Sequence, residues 1–112
     1  MLETYEFGDF RLDPAKRLLT KGGSVVKLGS RAFDLLVVLV QRSGAVLSTN
    51  ELLALVWPNI HVEANNLRVH LTALRKALGD EPGGTGYIAN IPGRGYSFSA
   101  TVSARNTAMR ES

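Results

Sequence analysis

Near the N-terminus apolar and polar residues alternate. Tyr5 and Phe7 form one such run and Phe10 and Leu12 a second, with Gly8-Asp9 between them as a tight turn. Side chains two apart share one face of a strand, so each run offers one apolar face. Asp13-Pro14 breaks the second run, because proline removes a ladder donor and restricts the residue before it. Arg17–Thr20 and Ser24–Lys27 read as a further strand pair around Gly22-Gly23. The first third of the chain therefore predicts a small four-stranded antiparallel sheet.

From Ala32 the period changes. The stretch to Arg42 is rich in Leu and Val, with Ser30 as the expected N-cap and Ser43-Gly44 as the stop. Its middle is apolar all round, which predicts a central helix contacted on several sides. Val46-Leu47 is a very short extended piece. Ser48-Thr49-Asn50-Glu51 is a capping box, S-x-x-E, and opens a second helix that runs to Val56 or Trp57, where Pro58 ends it. After the connection Asn59–Glu63, a third helix spans Ala64–Leu78 and closes at Gly79-Asp80. Leu67, Leu71, Leu74 and Leu78 form its apolar stripe. A glycine-rich loop covers Asp80–Gly86. Tyr87–Ile91 and Tyr96–Ala100 then alternate as a hairpin around Pro92-Gly93-Arg94-Gly95. The polar stretch Ser103–Ser112 reads as a tail or the start of a linker, which puts the domain at residues 1–102.

Composition narrows what this α+β domain can be. At 112 residues, 45% hydrophobic and 21% charged, the chain has apolar material for one modest core. The longest apolar run, Leu35–Val40, is far too short for a bilayer span, so no membrane segment is expected. The N-terminal residues show no signal-peptide pattern. There are no cysteines, hence no disulfide, thiolate metal site or Cys nucleophile, and a cytoplasmic location fits that composition. The net charge of +3 leans towards a polyanionic partner, provided that the cations are gathered in one place.

The third helix gathers them. At about 100° per residue, with the leucine stripe inward, Asn65, Val69, Thr72, Ala73 and Lys76 point away from the core. Arg68 and Arg75 share one flank and His70 lies on the other; between Ala64 and Gly79 there is no acid. Such a face suits the major groove of DNA. Arg and Lys reach phosphates or guanine, Asn and Thr donate and accept, and a methyl can touch thymine. The same pattern also describes a solvated amphipathic helix. The short link between helices two and three is a helix-turn-helix arrangement, and Arg94 sits between two glycines on a hairpin tip, placed to probe a minor groove or a phosphate.

Catalysis has little to stand on. His61 and His70 are nine residues apart, with no HExxH pattern and no third ligand at useful spacing, so no metal site is expected. The glycine-rich segments match neither GxxxxGK[ST] nor GxGxxG between strand and helix, no Ser/His/Asp set assembles, and no acidic phosphoacceptor pocket can be built. No catalytic residue and no cofactor is expected.

The order of elements resembles the winged helix-turn-helix domain of OmpR/PhoB-type bacterial transcription regulators. The segments that carry the resemblance are Phe10-Arg11-Leu12-Asp13, Leu28 with Phe33-Asp34-Leu35-Leu36, Val46-Leu47-Ser48 with Glu51-Leu52-Leu53, and Val56-Trp57. Further along are Leu67-Arg68-Val69-His70-Leu71, Leu74 to Asp80, and Ile91, Gly93 and Gly95-Tyr96-Ser97-Phe98. Together they span about residues 5 to 102. The resemblance implies sequence-specific binding of double-stranded DNA, with Ala64–Leu78 in the major groove and the wing Pro92–Gly95 in the minor groove. It implies phosphate contacts from Asn65, His70 and Arg75, and base-facing positions at Arg68, Val69, Thr72 and Ala73. It also points to the Asn59–Glu63 loop as a contact for RNA polymerase, and to a dimer that is weak or forms only on DNA.

The chain departs from the family pattern at three places. Ala73 stands where familiar members carry a base-reading arginine, Pro92 stands at the usual wing arginine with Arg94 two residues later, and Arg68 stands where an acid is common. The Pro-Gly-Arg-Gly-Tyr wing and Asn65–Val69 look like the N-terminal domains of large regulators that lack a receiver domain. A different class of function, a winged-helix protein–protein module without DNA binding, stays open on the residues alone. Salt dependence separates the two, because phosphate neutralisation gives a steep salt slope and an apolar interface does not.

Overall fold

The computed structural model describes residues 3–79 and 86–106. The chain begins with β1 (Glu3–Phe7), β2 (Phe10–Asp13), β3 (Leu18–Lys21) and β4 (Ser24–Val25), joined by tight turns in an antiparallel meander. The register Tyr5↔Leu12↔Leu19 lines up three buried side chains across the inner face, with Phe7↔Phe10 as the next row. The alternate row, Glu6↔Arg11↔Thr20↔Val25, faces outward, as a period of two requires. On that face Arg11 pairs with Glu6 at 2.9 Å. The Tyr5 hydroxyl donates to Glu3 Oε1 at 2.9 Å, and burial, reinforced by that acceptor, holds the phenol above its ordinary pKa.

Three helices follow: α1 (Ser30–Gln41), α2 (Thr49–Val56) and α3 (Ala64–Leu78). Ala32, Phe33, Leu35, Leu36, Leu39 and Val40 of α1 are all buried, because sheet and helices close around them. The N-cap of α1 is Gly29, not Ser30. The Ser30 hydroxyl is turned to Arg17, whose Nη2 donates to it at 3.2 Å, so it makes no capping bond. After α3 comes the hairpin of β5 (Ile88–Ile91) and β6 (Gly95–Phe98), a separate two-stranded sheet. At its base Phe98 packs on Phe7, and Tyr87 on Phe7 and Phe10, with ring centroids 5.0–5.7 Å apart. Gly8 makes room for this cluster, since a Cβ there would lie 2.6 Å from the Tyr87 hydroxyl.

The C-terminal stretch corrects one expectation. Ser103–Asn106, read from the sequence as the beginning of a tail, is a strand, β7, paired antiparallel with β1 in the register Glu3↔Asn106 to Glu6↔Ser103. Among the described residues the sheet therefore has five strands, in the order β4-β3-β2-β1-β7, instead of four. A free edge on β1 leaves a row of backbone donors and acceptors open, and β7 fills it with backbone bonds that need no apolar pattern. The expected loop at 80–85 and the rest of the expected tail, 107–112, lie outside the described residues.

Candidate nucleic-acid interface

The helix pair α2–α3 is fixed from both ends of α2. At its start the capping box forms as the sequence implies: Ser48 Oγ accepts from the Glu51 amide at 3.1 Å, and Glu51 Oε1 accepts from the Ser48 amide at 2.8 Å. At its end Arg31 of α1 donates Nη1 to the Val56 carbonyl at 2.9 Å, satisfying one of the carbonyls that a helix C-terminus leaves open. Asp34 holds Arg31 at 3.5 Å and Arg17 at 2.7 Å, so an ion-pair cluster joins the turn before β3 to α1, and Arg31 carries the link on to α2 through the Val56 carbonyl. The Arg31 guanidinium also lies 5.9 Å from the Trp57 ring, which is buried at the turn into α3.

α3 has the limits that its pattern predicts. Leu67, Leu71, Leu74 and Leu78 are buried, and Gly79 ends the helix in the left-handed region at φ +80°. The opposite face carries Asn65, Arg68, Val69, Thr72, Ala73 and Lys76, all exposed. Val69 is 57% exposed, an apolar side chain in the middle of a polar face. His70 is half-buried, its ring 5.4 Å from that of Trp57, so packing as well as solvent claims it.

Arg75 differs from what the sequence suggests. It is half-buried, and its Nη2 donates to the Ile88 carbonyl at 3.2 Å, a partner inside the protein. Helical spacing places a residue on a flank but cannot reveal that a hairpin from later in the chain will lie against that flank. Asp80 and Glu81, the acids that follow α3 in the sequence, lie outside the described residues.

The hairpin tip turns as its residues require. The Arg94 amide donates to Ile91 O at 2.9 Å around Pro92-Gly93, with Gly93 at φ +73°, as a type II turn demands. Arg94 is exposed beside it. Below the tip, Leu47 bridges to Tyr96 through two backbone bonds of 2.8 and 2.9 Å, which gives the short extended piece before α2 its role. A polar concavity between the start of α2 and the wing is lined by Ser48, Thr49, Asn50, Asn90 and Arg94.

Among the described residues no three His, Cys, Asp or Glu groups come together as a metal set, and no helix is long and apolar enough to cross a membrane. His61 lies in the exposed Asn59–Glu63 loop, 3.5 Å from Glu63. Beside that loop is a second open concavity, lined by Leu53, Trp57, Ile60 and Val62 among others.

With this geometry in place, the sequence profile described as "Transcriptional regulatory protein, C terminal" matches residues 23–98. The chain belongs to this family. Its relatives include the response regulator protein PmrA of Pseudomonas aeruginosa, 39% identical over 90 residues, which are 80% of this chain and 38% of that protein. The transcriptional activator CadC of Escherichia coli is 34% identical over 96 residues, 85% of this chain and 19% of CadC. The chain thus spans two fifths or less of the length of these curated relatives. Among solved structures, the DNA-binding domain of E. coli CadC superposes with a TM-score of 0.79 at 32% identity, covering 89% of this chain and 94% of that one. The Klebsiella pneumoniae RstA DNA-binding domain, solved in complex with the RstA box, gives 0.76 at 28% identity, covering 86% and 96%. The winged helix-turn-helix architecture, with three helices, an antiparallel sheet and a wing, is that of the OmpR/PhoB-type domains.

Proposed function

We propose that this domain binds double-stranded DNA sequence-specifically as part of a bacterial transcription regulator, with α3 in the major groove and the β5–β6 wing in the adjacent minor groove. The observation that carries the reading is the outer face of α3. Asn65, Arg68, Val69, Thr72, Ala73 and Lys76 are exposed together, with no acid on the helix, and Arg94 is exposed on the wing. The RstA DNA-binding domain, solved in complex with the RstA box, supports the reading of this domain as a DNA binder.

In this arrangement Arg68, Val69, Thr72 and Ala73 face bases. Asn65, His70 and Lys76 meet phosphates, and Arg94 enters the minor groove. A small Ala73 and a cationic Arg68 at base-facing positions favour an operator different from those of relatives that carry arginine and an acid there. The domain works in the cytoplasm on the chromosome, without cofactor or catalytic step. A single copy binds weakly, and affinity rises when two copies occupy adjacent half-sites. The exposed Asn59–Glu63 loop, with Ile60 58% exposed, is the surface offered to RNA polymerase.

Random-site selection on duplex DNA, followed by binding at several salt concentrations, tests the reading. The expected result is an enriched half-site and an affinity that falls steeply with salt. Failure to enrich any sequence, with salt-independent binding, would leave the protein–protein module instead.

A further inference from the structure

The two elements proposed to read DNA are coupled to each other by a side chain that the sequence assigns elsewhere. Arg75 rises from α3, half-buried beside the leucine stripe, and its Nη2 donates at 3.2 Å to the carbonyl of Ile88, the first residue of β5. The other strand of the hairpin, β6, is tied to a different part of the molecule, through the paired backbone bonds between Tyr96 and Leu47 ahead of α2. One strand is thus anchored to the recognition helix and the other to the segment before α2. The hairpin base is also held by Phe98 and Tyr87 in the aromatic cluster and by the Gly44 amide on the Phe98 carbonyl, so what Arg75 adds is a direct tie from α3 to β5 that sets the angle of the hairpin above that base. The tip lies about 10 Å beyond the Leu47–Tyr96 rung at ~3.3 Å per residue, so a change of about ten degrees in that angle would move it by about 2 Å. A displacement of that size is enough to loosen a preorganised contact.

We propose that Arg75 is a positioning residue: it fixes the wing's angle against α3 and acts on DNA through Arg94, not as a phosphate contact of its own. The proposal rests on the DNA-binding reading above, and it gives Arg75 a role that a solvent-facing flank residue would not have. A guanidinium that spends a donor on a protein carbonyl and is half withdrawn from solvent is held in one rotamer. Lys76, its neighbour on the exposed face, is the control: it is a cation of the same helix turn with no tie to the hairpin among the described contacts.

The test has two arms. In the DNA-free protein, amide resonances and ¹⁵N relaxation are compared for wild type, Arg75→Ala, Arg75→Lys and Lys76→Ala. The expected result is that both Arg75 variants shift and mobilise Ile91–Tyr96, whereas Lys76→Ala leaves those residues unchanged. In the second arm, the duplex found by site selection carries A·T-rich flanks, and Arg75→Ala is combined with Arg94→Ala. Arg75→Ala alone should weaken binding about tenfold, the scale of one charged hydrogen bond. In the Arg94→Ala background it should cost almost nothing and leave the salt slope unchanged.

Additive losses, with the slope falling by about one in that background, would mark Arg75 as a phosphate contact and overturn the proposal. Undisturbed wing resonances in both Arg75 variants would also overturn it. If Arg75→Ala does not fold, Arg75→Lys decides, because it keeps the charge a phosphate needs but not the planar fork: wild-type binding with an unmoved wing refutes positioning. If the wild type binds no duplex, the DNA reading fails separately, and the resonance arm still reports on the wing.

Discussion

At Gly95 the wing passes close under the chain ahead of α2. Its φ is +142°, and a Cβ there would overlap the Leu47 carbonyl, with Ser48 Cα only 2.8 Å away. Gly93, two residues earlier, also has positive φ at +73° but faces open space. The two glycines therefore separate conformation from crowding. Gly93→Ala should cost about 1–2 kcal/mol, the penalty of a left-handed residue. Gly95→Ala should cost clearly more, about 2–4 kcal/mol, because a backbone oxygen must move as well. Thermal melts of the two variants check the order. Between these glycines, Arg94 is expected to read groove shape. Arg94→Ala should lower affinity most on A·T-flanked sites, where the narrow groove concentrates negative potential, with little change in melting temperature. Arg94→Lys should recover only part of the loss, because an ammonium is harder to desolvate. Binding curves on A·T- and G·C-flanked versions of one site measure this, and equal losses on both would mean a phosphate contact. The exposed face of α3 was legible from spacing alone. Arg75 was not, because its partner Ile88 lies 13 residues on and in another element.

Elements whose limits are written in local chemistry are legible in the sequence. α2 begins at its capping box and stops before Pro58, and α3 runs from Ala64 to Leu78 with Gly79 beyond it. The start of α1 lies one residue before the position that Ser30 marks in the sequence, since a serine beside a helix start can bond to a distant arginine as readily as cap. The strand β7 is not legible in the sequence because Ser-Ala-Arg-Asn carries no apolar alternation. Its partner β1 supplies the register, and a single-sequence pattern has no access to that. The capping box yields an expectation at this scale. Ser48→Ala should destabilise the domain by about 1 kcal/mol. It should also reduce amide protection in the first turn of α2, while the uncapped α1 is unaffected. Hydrogen exchange resolves the two helices, and equal loss in both would show that Ser48 acts through the whole fold.

For the molecule as a whole, the pairing of β7 with β1 brings Glu3 opposite Asn106. Directly opposed residues in an antiparallel ladder sit about 5 Å apart, so the described chain nearly closes on itself. Topologically it is a ring with one small gap, and the gap lies in the sheet, not on the α3 face. A protein of that kind has no privileged starting point. Joining Asn106 to Glu3 through a few glycines and opening the chain at Gly22-Gly23, an exposed turn, should leave fold and binding intact. Such a permutant should melt within a few degrees of the parent and keep its salt slope on the same duplex. A collapse in stability would mean that the β1–β7 ladder depends on the residues beyond its ends. Anything attached before β1 or after β7 departs from the same spot. Two neighbours fused there would start side by side, about one strand spacing apart.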